Sequence, residues 1–242
     1  MIQKKLNQKK KKMCSLEKKG NIFILTLTGS GEHRLNPTLL DSIRSALRQV
    51  RAQSSSSSVL ITTAQGKFFS NGYDLELVKS SPSSPHIMDA KLRSIVADLI
   101  SLPMPTIAAV TGHASAAGFI LALSHDYVLM RRDRGFLYMS ELDIDLVIPA
   151  WFTALIKCKI GASMSRRDVV LRADKVTADE AVKKGIIDSA YDSAEQTVEA
   201  AVGVGKNLVG RKWNGDVYAQ IRMEVLSDVL DAIRVGSTGS KL

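Results

Sequence analysis

The sequence predicts an α/β fold that continues into a helical C-terminal part. Short apolar runs typical of buried strands alternate with helical periodicity up to about residue 140. Beyond that point almost every periodic segment has helical spacing. The third observation is compositional, since 45% of the 242 residues are apolar, which is ample for the core of a globular protein.

The first half of the chain contains the predicted strands. Residues 22–28 alternate apolar side chains with threonine, and residues 59–63 form a continuous apolar run. Between them Asn36 precedes Pro37, which is the order of a helix N-cap and a proline at the first helical position. The other elements predicted before residue 140 are a helix at 86–101, a strand at 106–110, a helix from 119 to about 124, and strands at 127–130 and 136–138.

The remaining residues are predicted to be helical at 150–159, 163–171, 177–184, 194–208 and 217–233. The serine-rich residues 54–58 and the Ser/Pro-rich residues 80–85 are interpreted as loops, the second of them mobile. The chain is accordingly divided into a basic, disordered tail (1–19), a core (20–192), a helical region (193–235) and a flexible tail (236–242).

The distribution of charge argues against a nucleic-acid partner. Six of the lysines that make up the net charge of +9 lie in residues 1–12, and without them the net charge is only +3. No apolar run reaches the roughly 18–20 residues of a membrane span, so no membrane association is expected. Cys14 and Cys158 are far apart and lack metal-ligand spacing, which predicts reduced thiols and no metal site.

The last three residues are Ser240, Lys241 and Leu242. This tripeptide is the address that the peroxisomal import receptor reads at a free C-terminus. The sequence therefore predicts a peroxisomal location, with the import receptor as a partner.

The stretch from Pro105 to Gly118 has an unusual composition. An apolar strand pattern ends at Thr111-Gly112, a run of small residues follows, and helical spacing begins at Phe119. A strand, a tight turn and a helix start in this order expose free backbone N–H groups at the positive end of a helix. The stretch is therefore interpreted as a turn that holds an anionic oxygen.

Three segments carry a family resemblance. Residues 67–75 (Lys-Phe-Phe-Ser-Asn-Gly-Tyr-Asp-Leu) are similar to a Phe-x-x-Gly-x-Asp motif. Residues 105–118 and 178–188 are similar to Ala-Ala-(Val/Ile)-x-Gly…Gly-Gly and Ala-x-x-Ala-x-x-x-Gly-(Leu/Ile)-Val. In this order the three motifs resemble the crotonase (enoyl-CoA hydratase/isomerase) superfamily over about residues 20–235, and within it the Δ3,Δ2-enoyl-CoA isomerases of plant peroxisomes.

The resemblance implies a crotonase-like spiral of ββα units whose C-terminal helices form trimers or dimers of trimers. It implies an acyl-CoA thioester as substrate, with coenzyme A as part of that substrate and no separate cofactor. Two backbone N–H groups would hold the thioester oxygen, at the positions of Tyr73 and Ala117. The chain departs from the family at both places, because Tyr73 is bulky and Ala116-Ala117 replace Gly-Gly.

The resemblance also assigns the residues around the substrate. Arg34 lies in the segment that lines the coenzyme A phosphates, although an exposed loop arginine explains it equally well. Tyr73 is expected in the wall of the acyl pocket, and Asn71 and Asp74 are expected to fix the turn through side-chain-to-backbone hydrogen bonds. The other substrate-binding positions implied by the motifs are Leu35, Gly72, Leu75, Gly118, Ile120, Pro149 and Trp151.

The reaction follows from two positions. Hydratases of this family use two glutamates, and Ile120 occupies the place of the first, whereas Glu141 matches the second. Adding water requires one group to activate it and another to deliver a proton, while a double-bond shift requires a single base. The combination predicts isomerisation of 3-enoyl-CoA to trans-2-enoyl-CoA in fatty-acid β-oxidation, with Glu141 as the catalytic base.

Other interpretations remain open at this point. Glu141 could be a surface acid, with Asp143 and Asp145 as alternative acids nearby. The fold could serve an enoyl-CoA hydratase, a thioester hydrolase, or a catalytically silent homologue that binds acyl-CoA or RNA. His113 and His125 are interpreted as packed or exposed histidines without a catalytic role.

Overall fold

The computed structural model describes residues 13–29, 31–55 and 57–235. Its strands are β1 (Cys14–Lys19), β2 (Ile22–Leu27), β3 (Val59–Ala64), β4 (Phe68–Ser70), β5 (Thr106–Val110), β6 (His113–Ser115), β7 (Tyr127–Arg131), β8 (Leu137–Tyr138) and β9 (Ser189–Tyr191). A six-stranded sheet has the order β1-β2-β3-β5-β7-β9, and a three-stranded sheet has the order β4-β6-β8. All pairings are parallel except β1 with β2.

The helices of the described residues are α1 (Pro37–Gln53), α2 (Leu75–Ser80), α3 (Ser84–Ile100), α4 (Ala117–Leu123), α5 (Ala150–Lys159), α6 (Ser163–Leu171), α7 (Ala178–Lys183), α8 (Ala194–Gly210), α9 (Gly215–Val225) and α10 (Ser227–Val235). A short 3₁₀ helix at Glu141–Ile144 precedes α5. None of these described helices has both the length and the apolar character needed to cross a bilayer.

The chain forms a spiral in which each turn adds one strand to each sheet. β3, β5 and β7 enter the large sheet, and each is followed by a strand of the small sheet, β4, β6 or β8. Helices follow β4, β6 and β8 before the chain returns to the large sheet. The predicted spiral of ββα units is therefore confirmed.

Helices cover both faces of the large sheet, which explains the unbroken apolar runs in its strands. All six residues of β3 are buried. One face contacts α8, whose contacts extend over β3, β5 and β7. The opposite face belongs to the main core, which also contains apolar side chains of α1, α3, α4 and α5.

The prediction that residues 1–19 form a disordered tail is wrong for its last six residues. Cys14 to Lys19 form β1, which pairs antiparallel with β2 through a turn at Gly20, where φ is +60°. Exposed Glu17, Lys18 and Lys19 obscured this pattern, although charged side chains are common on an edge strand. Residues 1–12 lie outside the described part of the chain.

Further elements differ from the prediction. Residues 113–115, which lie in the stretch interpreted as a tight turn, form strand β6, and α4 begins at Ala117 rather than Phe119. Residues 80–85, interpreted as a mobile loop, include the last residue of α2 and the first two of α3, and only residues 81–83 connect the helices. The Ser84 hydroxyl donates to the carbonyls of Leu77 and Ser81 across this short connection. The helix predicted at 217–233 is interrupted at Leu226, which is buried and has φ −109° and ψ 25°. The change of direction there brings α10 into contact with α5 and α3.

His125 follows α4 and is completely buried, as the packed interpretation predicted. Its Nδ1 lies 3.0 Å from the Leu121 carbonyl oxygen and its Nε2 lies 2.8 Å from the Thr62 hydroxyl. Burial lowers the pKa of His125 from 6.5 to about 4, so the native state holds a neutral imidazole where the unfolded chain is protonated. Stability is therefore complete above about pH 6.5 and decreases as the pH falls towards 4.

We expect this histidine to remove about 2 kcal/mol of unfolding free energy between pH 7.5 and pH 5. Urea unfolding at the two pH values measures the loss, and His125→Asn should reduce the difference by that amount. An equal pH dependence in the wild type and the variant would show that His125 does not titrate as the structure requires.

Candidate active site

Three neighbouring strands of the small sheet end beside one another. β4 ends at Ser70, β6 at Ser115 and β8 at Tyr138, and all three run parallel. Tyr73, Ala117 and Glu141 follow these strand ends by two or three residues. Because parallel strands end at the same edge of a sheet, the fold brings the two predicted N–H donors and the predicted base together.

Gly72 shows how closely the first two loops approach. A Cβ atom at Gly72 would lie 3.0 Å from the Ser115 carbonyl oxygen, 3.2 Å from the Ala116 Cβ and 3.5 Å from the Ala117 nitrogen. The φ of Gly72 is +75°, a backbone conformation that residues with a side chain rarely adopt. Both the close approach and the positive φ require glycine at this position. Glycine lets the Gly72–Tyr73 peptide lie against Ala116–Ala117.

Ala116 sets the direction of the Ala117 N–H group. The Ala116 carbonyl accepts hydrogen bonds from the amides of Phe119 (2.9 Å) and Ile120 (3.1 Å), so it points along α4. In a trans peptide the N–H group points opposite to the carbonyl, and the Ala117 N–H group therefore points away from the helix. Within residues 13–29, 31–55 and 57–235, neither the Tyr73 amide nor the Ala117 amide donates to a protein acceptor.

Two adjacent amides without acceptors are uncommon, because buried N–H groups are almost always paired. Ala117 is fully buried and Tyr73 is partly buried. Such a pair of donors is suited to an oxygen atom that gains negative charge during a reaction.

The backbone of Ala116 is strained. Its φ of 49° and ψ of −125° lie outside the regions that residues with a Cβ favour. We expect Ala116→Gly to raise the unfolding free energy by about 1 kcal/mol, the released strain less the greater entropy of glycine in the unfolded chain. Chemical denaturation measures the gain, with Ala114→Gly in β6 as a control that should lower stability. If both variants lost the same unfolding free energy, the backbone of Ala116 would not be strained.

Glu141 is the first residue of the 3₁₀ helix, and only 6% of its surface is exposed. Its Oε2 atom is buried and finds no hydrogen-bond partner in the part of the chain that the structure describes. Burial raises the pKa of Glu141 above its ordinary value. A carboxyl group in this state can take up a proton and return it, which favours Glu141 over its exposed neighbours Asp143 and Asp145.

Apolar side chains adjoin these groups. Phe119 and Ile120 in α4 and Trp151 in α5 are buried in the main core, so the position of Ile120 contributes no ionisable group. The Tyr73 ring lies 6.4 Å from the ring of Phe152, a residue that sequence reasoning missed. Among the described residues, no three His, Cys, Asp or Glu side chains cluster as metal ligands would.

The predicted coenzyme A segment lies beside the first N–H donor. The Leu35 amide donates to the Gly72 carbonyl at 2.8 Å, although the Leu35 side chain is fully buried in the core. Arg34 is partly exposed and forms a 2.7 Å ion pair with Glu32.

The Asn71 side chain also donates to Glu32, at 2.8 Å, so the prediction that the Asn71 side chain hydrogen-bonds to the backbone of the turn is wrong. Glu32 belongs to none of the three motifs, so no pattern in the sequence pointed to it.

The other predicted positions have defined roles in the fold. Asp74 caps α2 by accepting a hydrogen bond from the Leu77 amide at 3.2 Å, which confirms its predicted role in the turn. Leu75 begins α2 and is partly exposed, and Pro149 immediately precedes α5. A Cβ atom at Gly118 would lie 2.2 Å from the Ser70 carbonyl oxygen, so glycine is needed for α4 to pack against β4. The predicted targeting residues 240–242 lie outside the described residues.

The family model for enoyl-CoA hydratase/isomerase matches residues 17–230. The chain belongs to the enoyl-CoA hydratase/isomerase family. Two curated members of Arabidopsis thaliana are similar to it. Enoyl-CoA delta isomerase 1, peroxisomal, is 65% identical over 240 residues, which cover 95% of this chain and all of the relative. Enoyl-CoA delta isomerase 2, peroxisomal, is 52% identical over 224 residues, which cover 90% of this chain and 93% of the relative.

Solved structures of the enoyl-CoA hydratase/isomerase family share the fold. An apo enoyl-CoA isomerase of Mycobacterium tuberculosis has a TM-score of 0.84 at 22% identity and covers 93% of this chain and 96% of its own. A family protein of Pseudomonas syringae has a TM-score of 0.85 at 24% identity, with coverages of 93% and 94%. The predicted crotonase-like architecture is thus confirmed.

Proposed function

We propose that this family member is a Δ3,Δ2-enoyl-CoA isomerase that converts 3-enoyl-CoA to trans-2-enoyl-CoA in fatty-acid β-oxidation. The observation that carries the proposal is the buried Oε2 atom of Glu141, which has no hydrogen-bond partner among the described residues. It lies at the strand edge that also holds the amides of Tyr73 and Ala117, for which the described residues supply no acceptor. The enclosed Ile120 supplies no second acid or base. Two relatives named enoyl-CoA delta isomerase support the same reaction.

In the first step the Glu141 carboxylate removes a proton from C2 of the substrate. The electron pair of the C–H bond moves towards the thioester, and the carbonyl oxygen becomes the oxyanion of a dienolate. The N–H groups of Tyr73 and Ala117 donate hydrogen bonds to that oxygen. Fixed donors of this kind stabilise the transition state, and losing one typically costs about 2.7–4 kcal/mol.

In the second step the Glu141 carboxyl group returns the proton to C4. The thioester carbonyl re-forms, the double bond lies between C2 and C3, and Glu141 is again ionised. The raised pKa of Glu141 favours the proton-bearing intermediate state, because burial disfavours the carboxylate. Hydration is disfavoured because Ile120 has no group that could activate water.

Two substrates test the proposal side by side. Purified protein is incubated with a 3-enoyl-CoA, and the absorbance of the conjugated 2-enoyl thioester is followed, beside hydration of crotonyl-CoA. We expect isomerisation to be much faster than hydration. An untouched 3-enoyl-CoA, or faster hydration, would overturn the proposal in favour of a silent homologue or a hydratase, respectively.

We propose that Arg34 binds a phosphate of the coenzyme A part of the substrate. Its guanidinium group is partly exposed, and its present partner Glu32 is a surface carboxylate that a phosphate can replace. Leu35 places this segment against Gly72. Arg34→Ala should raise KM and leave kcat nearly unchanged, and an unchanged KM would exclude this role.

We also propose that the protein is a homo-oligomer. Val217, Ile221 and Val225 follow one another at intervals of four residues on α9 and are 51%, 61% and 70% exposed. A continuous apolar face of this kind in a chain of this family fits a second copy of the same chain. Sedimentation of the full chain should give a trimer or a hexamer, and Ile221→Asp should weaken it. A monomeric wild type would refute the proposal.

The relatives named above as peroxisomal support a peroxisomal location for this protein as well. The predicted Ser240-Lys241-Leu242 signal agrees with it. A fusion that masks Leu242 should remain outside peroxisomes. Continued import of that fusion would exclude this signal.

A further inference from the structure

Asp89 in α3 occupies the centre of a hydrogen-bond network beside the proposed active site. Its Oδ1 atom accepts from the Tyr73 hydroxyl at 3.2 Å and from the Trp151 indole Nε1 at 2.9 Å. Its Oδ2 atom accepts from Arg93 Nε at 2.6 Å. Both carboxylate oxygens are therefore occupied, by donors from three separate parts of the chain.

The network connects the Tyr73 loop with α3, α5 and α10. Tyr73 belongs to the loop before α2, and Trp151 belongs to the first turn of α5. Arg93 lies one helical turn after Asp89 and also donates to the Ile233 carbonyl of α10, at 3.2 Å. Asp89 and Arg93 are largely enclosed, so an interaction of this kind is weak evidence for stability alone and is better explained by a fixed geometry.

The main chain beside Tyr73 is held on its N-terminal side, where the Leu35 amide donates to the Gly72 carbonyl and Leu35 forms a β-bridge with Tyr73. Gly72 precedes it with a φ of +75°, and α2, which follows it, contains no buried residue. The Tyr73 ring is packed near Phe152, and its hydroxyl is held by Asp89. The side chain of Tyr73 is thus a second anchor, on the side of Asp89, of a loop whose main-chain amide must be aimed accurately.

We propose that Asp89 is a positioning residue that holds the Tyr73 side chain and thereby fixes the Tyr73 main-chain N–H group in the oxyanion hole. The inference rests on the proposed isomerase function, and it explains why a bulky tyrosine is tolerated beside the hole. Asp89 touches no reacting atom in this account. It acts only through Tyr73, with Trp151 and Arg93 keeping its carboxylate in place.

Kinetics of three variants test the inference. Asp89→Asn removes the charge and one acceptor oxygen, and Tyr73→Phe removes only the hydroxyl while keeping the main-chain amide. We expect each to lower kcat by about tenfold, because a small displacement of a catalytic group lowers the rate steeply. KM should change by less than about threefold, and the double variant should be no worse than the single ones, as expected for residues that act as one unit.

A matched control lies on the same helix. Asp98 forms a 3.0 Å ion pair with Arg44 away from this network, so Asp98→Asn should retain the wild-type kcat. Chemical rescue provides a second readout, because Asp89 lines an open cleft of about 570 Å³ together with Arg93 and His86. Sodium formate should restore part of the kcat of Asp89→Ala, and sodium chloride should not.

The outcomes separate the two levels of the argument. A wild-type protein that does not isomerise 3-enoyl-CoA would defeat the proposed function and this inference with it. A wild-type kcat in Asp89→Asn, or losses that multiply in the double variant, would overturn the role of Asp89 alone. Failure of formate to raise the kcat of Asp89→Ala would also contradict it.

Discussion

Glu141→Gln is expected to lower kcat for 3-enoyl-CoA isomerisation by about 10³-fold, within the range for loss of a general base. Glutamine preserves the shape of the side chain but cannot accept the C2 proton. The buried Oε2 atom has no hydrogen-bond partner among the described residues, and Ile120 carries no group that could transfer the proton instead. Stopped-assay or absorbance kinetics at saturating substrate measure the loss, and KM should change little because the acyl-CoA contacts remain.

The pH dependence of the wild type provides a check on the same residue. Because burial raises the pKa of Glu141, kcat should decline on the acid side at a pH above the ordinary carboxyl value of 4.5. Asp145→Asn is the matched control, since Asp145 is an exposed acid four residues further on. If Glu141→Gln retained wild-type kcat, or if Asp145→Asn lost as much, Glu141 would not be the base.

Gly72→Ala is expected to lower kcat by about 10²-fold, close to the loss of one oxyanion donor. The added Cβ would lie 3.0 Å from the Ser115 carbonyl oxygen and 3.2 Å from the Ala116 Cβ, so the two loops must separate. The positive φ of +75° adds strain to that displacement. Both effects move the Tyr73 and Ala117 amides away from a shared oxygen atom, which weakens their hold on the transition state.

Gly66→Ala is a control that introduces backbone strain without pushing two loops apart. Gly66 has a φ of +86°, similar to that of Gly72, but a Cβ there would meet nothing within 4 Å. This control should lose some stability and keep its kcat. Equal kcat losses in the two variants would show that backbone strain, and not the approach of the two loops, controls the rate.

Local patterns predicted much of the fold because they depend on neighbours in the sequence. Asn36 and Pro37 begin α1 as expected, with the Asn36 side chain accepting from the Leu39 amide at 3.0 Å. Strand β3 was predicted from its apolar run alone. β1 was missed because its lysines and glutamate are exposed at a sheet edge, where the apolar alternation that marks a strand is not required.

The residues of the candidate active site could be predicted only where they lie within, or at a set distance from, one of the family motifs. Glu141, Tyr73 and Ala117 follow the ends of three adjacent parallel strands, and their roles in catalysis stay a prediction. Asp89 has partners 16 and 62 residues away in the sequence, and Glu32 has one 39 residues away. No periodicity in a single chain encodes such contacts, because they depend on how the spiral brings separate turns together.

The strained backbone of Ala116 could not be predicted from the sequence for a related reason. The resemblance identified Ala116 as a replacement for glycine, and its effect on the neighbouring space was left open. The structure shows that the backbone keeps a conformation typical of glycine, with φ 49° and ψ −125°, and holds it through the hydrogen bond from the Ala116 amide to the Tyr138 carbonyl at 2.7 Å.

A crystal structure of the protein with an unreactive acyl-CoA thioester tests the central claim most directly. The account predicts the thioester oxygen about 2.7–3.1 Å from the main-chain nitrogens of both Tyr73 and Ala117. It also predicts a Glu141 carboxylate oxygen about 3–3.5 Å from C2 of the acyl chain. A thioester oxygen bound away from these two amides, or a Glu141 carboxylate turned away from C2, would contradict the account.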